Sequence, residues 1–125
     1  MWYRIGDKMR TIKFRGKRVD NGEWVYGYYW VNKSATRETP HIVDEYGDIF
    51  QIDTETVGQY TGLPSQDKQD IYEGDRLFDY DDDYYVVEFS EGRFVAVGDG
   101  FEVDLFEIAN RCSVIGNIHD NKEMI

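Results

Sequence analysis

The chain has 125 residues, a net charge of -11, a single cysteine and an aromatic content of 16%. That length suits one domain or two small lobes, and it can bury roughly two-thirds of its unfolded surface without a metal or disulfide to hold it. The aromatic load excludes a disordered chain, the lone Cys112 excludes an internal disulfide, and no apolar run approaches the ~18 residues of a membrane span.

The charge is unevenly placed. Met1 to Arg18 carries seven basic residues and one acid, a net +6, and the remainder carries seven basic and 24 acidic residues, a net -17. Most of the surface therefore repels phosphate backbones. Any contact with nucleic acid falls to the basic first strand, through Arg10, Lys13, Arg15, Lys17 and Arg18. The competing expectation is that these cations are matched by the chain's own acids or by those of another subunit. The N-terminus MWYRIGDKMR lacks the apolar core of a secretory signal, and a single thiol fits a reducing compartment such as the cytoplasm.

Taken in chain order, residues 10–15 alternate Ile12 and Phe14 with Lys13 and Arg15, the period of a half-buried strand. Asp20-Asn21-Gly22 is a turn signal, and Trp24 to Val31 is dense in β-formers. Together they predict a hairpin, with Gly27 marking a bulge or a close backbone approach. Asn32 to Pro40 reads as a loop. A second hairpin is expected from Ile42-Val43 through Tyr46-Gly47-Asp48 to Ile49–Ile52, and a strand over Val57–Thr61. The polar stretch from Leu63 to Asp70, with Pro64, reads as the boundary between lobes. The expected organisation is an N-terminal extension (1–8), a β lobe (9–63) and a second β lobe (64–125).

The second half reads as strand Arg76–Tyr80, turn Asp81–Asp83, strand Tyr84–Phe89, tight turn Ser90-Glu91-Gly92, strand Arg93–Val97, and a short strand near Phe101–Val103. Asp104 has the features of a helix N-cap with Glu107 at the capping-box position, and Leu105, Ile108 and Ala109 have helical spacing. One short helix ending near Asn110 follows, then a last strand, Cys112–Ile118. The fold class is mostly β: small barrels or curled sheets, with an SH3-like barrel in the C-terminal half and one short helix.

Three stretches together resemble the YopX family of phage and prophage proteins. The first is Ile12 to Arg18 (IKFRGKR) with Gly22 to Gly27 (GEWVYG). The second is Thr56 to Leu63 (TVGQYTGL) with Ile71 to Asp75 (IYEGD). The third is Val114 to Ile118 (VIGNI) with an acidic, Asn-containing tail. The resemblance implies a largely β fold, phage origin, a bacterial host cell and self-association, and it implies no catalytic residue. Family members typically begin near the IKFRGKR stretch, which makes residues 1–8 an upstream extension.

Chemical motifs are scarce. His41 and His119 are far apart, and no Cys/His spacing matches a zinc site. Asp79, Asp81 and Asp83 fall at the first three ligand positions of an EF-hand loop. Tyr84 then stands where glycine is required and Ser90 where glutamate is required, so the run reads as a solvated acidic turn. No serine lies in a nucleophile-elbow context, and no phosphate-binding glycine loop is present. Cys112, beside Val114 and Ile115, reads as a buried structural thiol.

The expected function is therefore that of a non-catalytic, self-associating interaction module without cofactor or metal, bound to a host or phage protein. Trp2, Tyr3 and Trp30 are the expected interface anchors, because tryptophan and tyrosine are enriched at binding hot spots. Nucleic-acid binding by the basic first strand is the alternative.

Overall fold

The structure is a computed structural model. It describes residues 2–5, 8–34 and 36–120, with side chains described from residue 11 onward. Two compact units divide the chain at Tyr60 and Thr61.

The first unit opens with a hairpin of β1 (Trp2–Ile5) and β2 (Lys8–Thr11). The segment read as an extension thus contributes to a two-stranded sheet. The strand predicted over 10–15 breaks at Ile12 and Lys13 and resumes as β3 (Phe14–Lys17). β3 pairs antiparallel with the ten-residue β4 (Trp24–Lys33), Phe14 opposite Gly27 and Lys17 opposite Trp24. β4 pairs in turn with β5 (Glu38–Val43), and β5 with β6 (Ile49–Gln51).

The expected loop over 32–40 shrinks to the turn between Lys33 and Glu38, which is closed by Ser34 and Arg37. Pro40 is tolerated inside β5 for a local reason. Its carbonyl accepts from Ile52 N, so its missing N–H also lies on that side, away from β4. Gly27 fulfils its expectation of a close approach: a Cβ there would collide with the Val43 carbonyl oxygen. Ile42 and Ile52, both buried, form the centre of this unit beneath Gly16.

A 3₁₀ turn at Thr54–Thr56, capped by Asp53, leads to β7 (Gly58–Pro64). The first residues of β7 pair with Phe14 and Arg15.

In the second unit β8 (Asp70–Tyr72) leads into a meander of β9 (Asp75–Asp79), β10 (Tyr84–Ser90), β11 (Arg93–Val97) and β12 (Glu102–Asp104). Asp104 caps the single short helix α1 (Leu105–Ile108) by accepting from Phe106 N. A 3₁₀ turn (Ala109–Arg111) follows, and β13 (Cys112–Asn117) returns to pair with β9. The sheet order is β12-β11-β10-β9-β13.

The closed barrel expected here is not what forms. Among the described residues β12 and β13 remain edges, and no strand pair joins them. A physical reason is visible. β12 has only three residues, β13 is bent by a bulge at Val114–Gly116, and the helical turn supplies Leu105, Ile108 and Ala109 to the core. Helix and sheet bury Ile71, Leu77, Tyr85, Val87, Ala96 and Cys112 between them. Val95 and Ala96, on opposite faces of β11, are both fully buried, so this strand is covered on both sides.

Candidate interaction surface

Strand β4 presents alternate side chains to opposite faces of its sheet, as a pleated strand must. Tyr29 turns to the inner face and meets the Phe14 ring at 5.6 Å. Tyr26, Tyr28 and Trp30 point the other way and are 46%, 49% and 46% exposed. The Trp30 ring packs on its cross-strand neighbour His41 at 5.1 Å. The result is a stripe of aromatic rings along one sheet face.

A concavity of about 720 Å³ runs beside this stripe, lined by Lys13, Trp24, Tyr26, Tyr28, Val43 and Tyr46, with Asp44 and Glu45 at its other side. Asp44 shapes that flank. Its Oδ1 accepts from the backbone N–H groups of Tyr46 and Asp48, which closes the β5–β6 turn and places Glu45 and Tyr46 in solvent.

The basic residues of the first strand are held against the chain's own rings. The Arg15 guanidinium stacks on Trp24 at 4.7 Å and the Lys17 ammonium lies 5.5 Å from the same ring. Lys13 lies over Tyr60 at 5.1 Å and Arg18 over Phe50 at 4.6 Å. Each such contact is worth roughly 0.5–2 kcal/mol, more where water is excluded. Arg15 keeps the face that the alternation implied, in register with Tyr26, yet it is only 6% exposed because the Trp24 ring covers it. A guanidinium flat on an indole satisfies burial in a way a strict polar-out pattern does not anticipate.

Arg18 also makes a two-pronged contact to Asp20, through Nε at 2.9 Å and Nη2 at 2.6 Å. Those hydrogen bonds hold the Asp20 carboxyl below its ordinary value. Arg10, Trp2 and Tyr3 stand on β2 and β1, Tyr3 opposite Arg10 in register, and their side chains lie outside the described residues. Trp30 and Lys13 thus share a face with Tyr26 and Tyr28, while Arg18 belongs to the far end of the β3–β4 hairpin. Glu45 and Tyr46, in a turn that composition alone marks as ordinary, were not singled out by sequence.

The second unit holds a different constellation. Asp79, read as part of a solvated acidic turn, has no exposed side-chain surface. Its Oδ1 accepts from the backbone N–H groups of Asp81 and Asp83 at 2.9 and 3.2 Å, and its Oδ2 accepts from the Tyr85 hydroxyl at 2.9 Å. Arg111 Nη2 stands 3.4 Å from Oδ2. Burial works against the Asp79 charge, but the Tyr85 hydroxyl, the two amides and Arg111 together outweigh it and lower the carboxyl's pKa.

Burial first, and then Asp79, push the Tyr85 phenol up to about 12. The Cys112 thiol is pushed up to about 11, again by burial first. This arrangement satisfies a buried acid and leaves the neighbouring thiol protonated at neutral pH, as a structural thiol would be. Among the described residues no group of three or more His, Cys, Asp and Glu side chains is placed to hold a metal. No described helix is long and apolar enough to cross a membrane.

Comparison with known proteins agrees with this architecture. The crystal structure of protein EF1440 from Enterococcus faecalis is similar over 92% of this chain and 98% of that one, with a TM-score of 0.57 at 20% identity. That likeness shows the fold alone. No curated protein matches the sequence. Residues 13–125 match the YopX protein family, a span that holds the stacked cations of β3, the aromatic stripe of β4 and the whole second unit. The chain belongs to the YopX family.

Proposed function

We propose that this protein is a non-catalytic interaction module of a phage or prophage, acting in the cytoplasm of the bacterial host. In this reading it self-associates through the aromatic face of β4 and binds a host or phage protein in that form. One observation carries it: a half-exposed row of Tyr26, Tyr28 and Trp30 with opposite charges on its two flanks. Lys13 and Lys17 lie on the β3 side, and Asp44 and Glu45 on the β5 side.

Asp44 follows Val43, the partner of Tyr28, and Lys13 precedes Phe14, the partner of Gly27, so the two flanks lie level along β4. A two-fold axis parallel to β4 would set the cationic flank of one copy on the acidic flank of the other, ring row against ring row. Isologous contacts of this kind are the commonest route to dimers, and charge complementarity fixes their register. Sedimentation velocity over a hundredfold concentration range tests it. A dimer that the triple variant Y26S/Y28S/W30S converts to a folded monomer is expected. A wild-type protein that stays monomeric throughout would refute it.

A second reading, nucleic-acid binding through Arg10, Lys13, Arg15, Lys17 and Arg18, has one observation in its favour: cations and rings share one concave face, as in single-strand binders. Arg15 is buried on Trp24 and Arg18 is paired with Asp20, which favours the first reading. Binding to a single-stranded oligonucleotide that falls steeply with salt would bring the second forward.

The proposal includes a fold reading for the second unit, an SH3-like connectivity in open form. Its support is the order β12-β11-β10-β9-β13, with a 3₁₀ turn just before the last strand. Such a likeness carries no function by itself.

A further inference from the structure

Arg76 occupies an unusual position in the second unit. It lies on the face of β9 opposite the buried Asp75, Leu77 and Asp79. Its neighbours across the sheet are Gly116 on β13 and Val86 on β10, and Val97 on β11 comes next in the same row. The bulge between Val114 and Gly116 lies beside Arg76, and Ile115, half-exposed, stands at that edge.

A concavity of about 490 Å³ opens there, lined by Arg76, Tyr84, Val86, Val97 and Ile115. Arg76 Nε is buried within the protein and has no hydrogen-bond partner among the described residues. No ion pair of Arg76 exists among them either. The acid that continues the row, Glu102 on β12, is three strands away, about 14 Å at the usual ~4.8 Å strand spacing. Glu88, further along β10 on the same face, makes no ion pair with it.

A buried donor without a partner is rare in folded proteins and calls for an explanation. Here the donor is a guanidinium, whose planar fork matches a carboxylate, set in an otherwise apolar hollow in a chain rich in acids. We propose that this hollow is a docking site for an acidic-hydrophobic segment of a partner protein. Its apolar side chain would pack on Val86, Val97 and Ile115, and its carboxylate would pair with Arg76. The charge decides the occupant, because the hollow's lining has a cation and no acid. The site is separate from the β4 face, so a protein that proves monomeric would still be expected to bind.

The probes are two blocked tripeptides, acetyl-Phe-Glu-Leu-amide and acetyl-Phe-Gln-Leu-amide, which differ only in the charge under test. Each is titrated into the isotope-labelled full chain while NMR follows the Arg76 Nε–H signal and the Val86, Val97 and Ile115 methyls. The Glu peptide is expected to shift both sets together and to bind at least fivefold more tightly than the Gln peptide. In R76Q the two peptides should bind alike. Equal binding of the two peptides to the wild type would overturn the proposal. So would the absence of shifts at the solubility limit, or a shift of Arg76 without the methyls. Should R76Q fail to fold, the Glu-against-Gln comparison on the wild type decides alone.

Discussion

Removing the Asp79 carboxylate tests the account of the buried polar cluster most directly. Asp79→Ala deletes the acceptor for the Tyr85 hydroxyl and for the amides of Asp81 and Asp83. A hydrogen bond to a charged group contributes about 1.5–3 kcal/mol, and the two amides lie in an exposed turn where water can replace part of what is lost. Taking about 2 kcal/mol for the phenol and about 1 for each amide gives an expected loss of about 4 kcal/mol. Tyr85→Phe alone should cost about 2 kcal/mol, and the double variant should cost less than the two singles together by about 2, because both remove one shared bond.

The assay must see the second unit by itself. All three tryptophans, Trp2, Trp24 and Trp30, belong to the first unit, so their fluorescence does not report the packing around Asp79 directly. Native-state hydrogen exchange at the core amides of Leu77 and Val87 reports it. A loss under 1 kcal/mol in Asp79→Ala, or strict additivity in the cycle, would refute the reasoning. The pH dependence has a fixed sign. Because the folded-state pKa of Asp79 is lowered, its charge stabilises the protein fully above the unfolded value of 3.8, and this is lost as pH falls below 3.8 and through the folded value. The stability gap between wild type and Asp79→Ala should therefore narrow below about pH 4 in urea titrations followed by far-UV circular dichroism.

Other substitutions probe the frame. Gly27→Ala should destabilise the first unit by about 3 kcal/mol, because the new methyl meets the Val43 carbonyl; tryptophan-detected urea unfolding measures it. Leu77→Ala, at a fully buried position of the interior strand β9, should cost about 3–4 kcal/mol by hydrogen exchange in the second unit. Cys112 should resist a disulfide-exchange reagent at pH 8 in the native protein and react at once in guanidinium, since it is buried and its thiol titrates only near 11.

Much of the fold was legible in the sequence because turn chemistry and period-two alternation are local. Asp20-Asn21-Gly22 places the β3–β4 hairpin, Asp104 places the helix start, and the cluster of motifs from Ile12 to Ile118 places the family. What was not legible depends on partners distant in the chain. Arg15 is buried because the Trp24 ring reaches over its guanidinium from the neighbouring strand, not because of its own chain neighbours. Asp79 is buried because Tyr85 and Arg111 come to it, although its flanking acids suggest solvent. The open sheet follows from the shortness of β12 and the bulge in β13, which no propensity records. Of the candidate surface, Trp30 was singled out by residue type, and Lys13 only as a contact for nucleic acid. The acidic flank at Asp44 and Glu45 could not be, because only the register of β4 against β5 brings it beside the rings.

The return of β13 to β9 has a consequence for how the second unit assembles in time. The meander from β9 to β12 is built from contacts between residues near each other in the chain, each closed by a tight turn. Pairing Cys112 with Asp79 instead closes a segment of more than thirty residues. Local hairpins close in microseconds, whereas each distant pairing first requires the chain entropy of the loop to be given up. The meander is therefore expected to organise first, with docking of β13 and the helical turn as the late step that locks Cys112 into the core. Truncating Val114 should accordingly speed unfolding far more than it slows folding, and truncating Val87 should do the reverse.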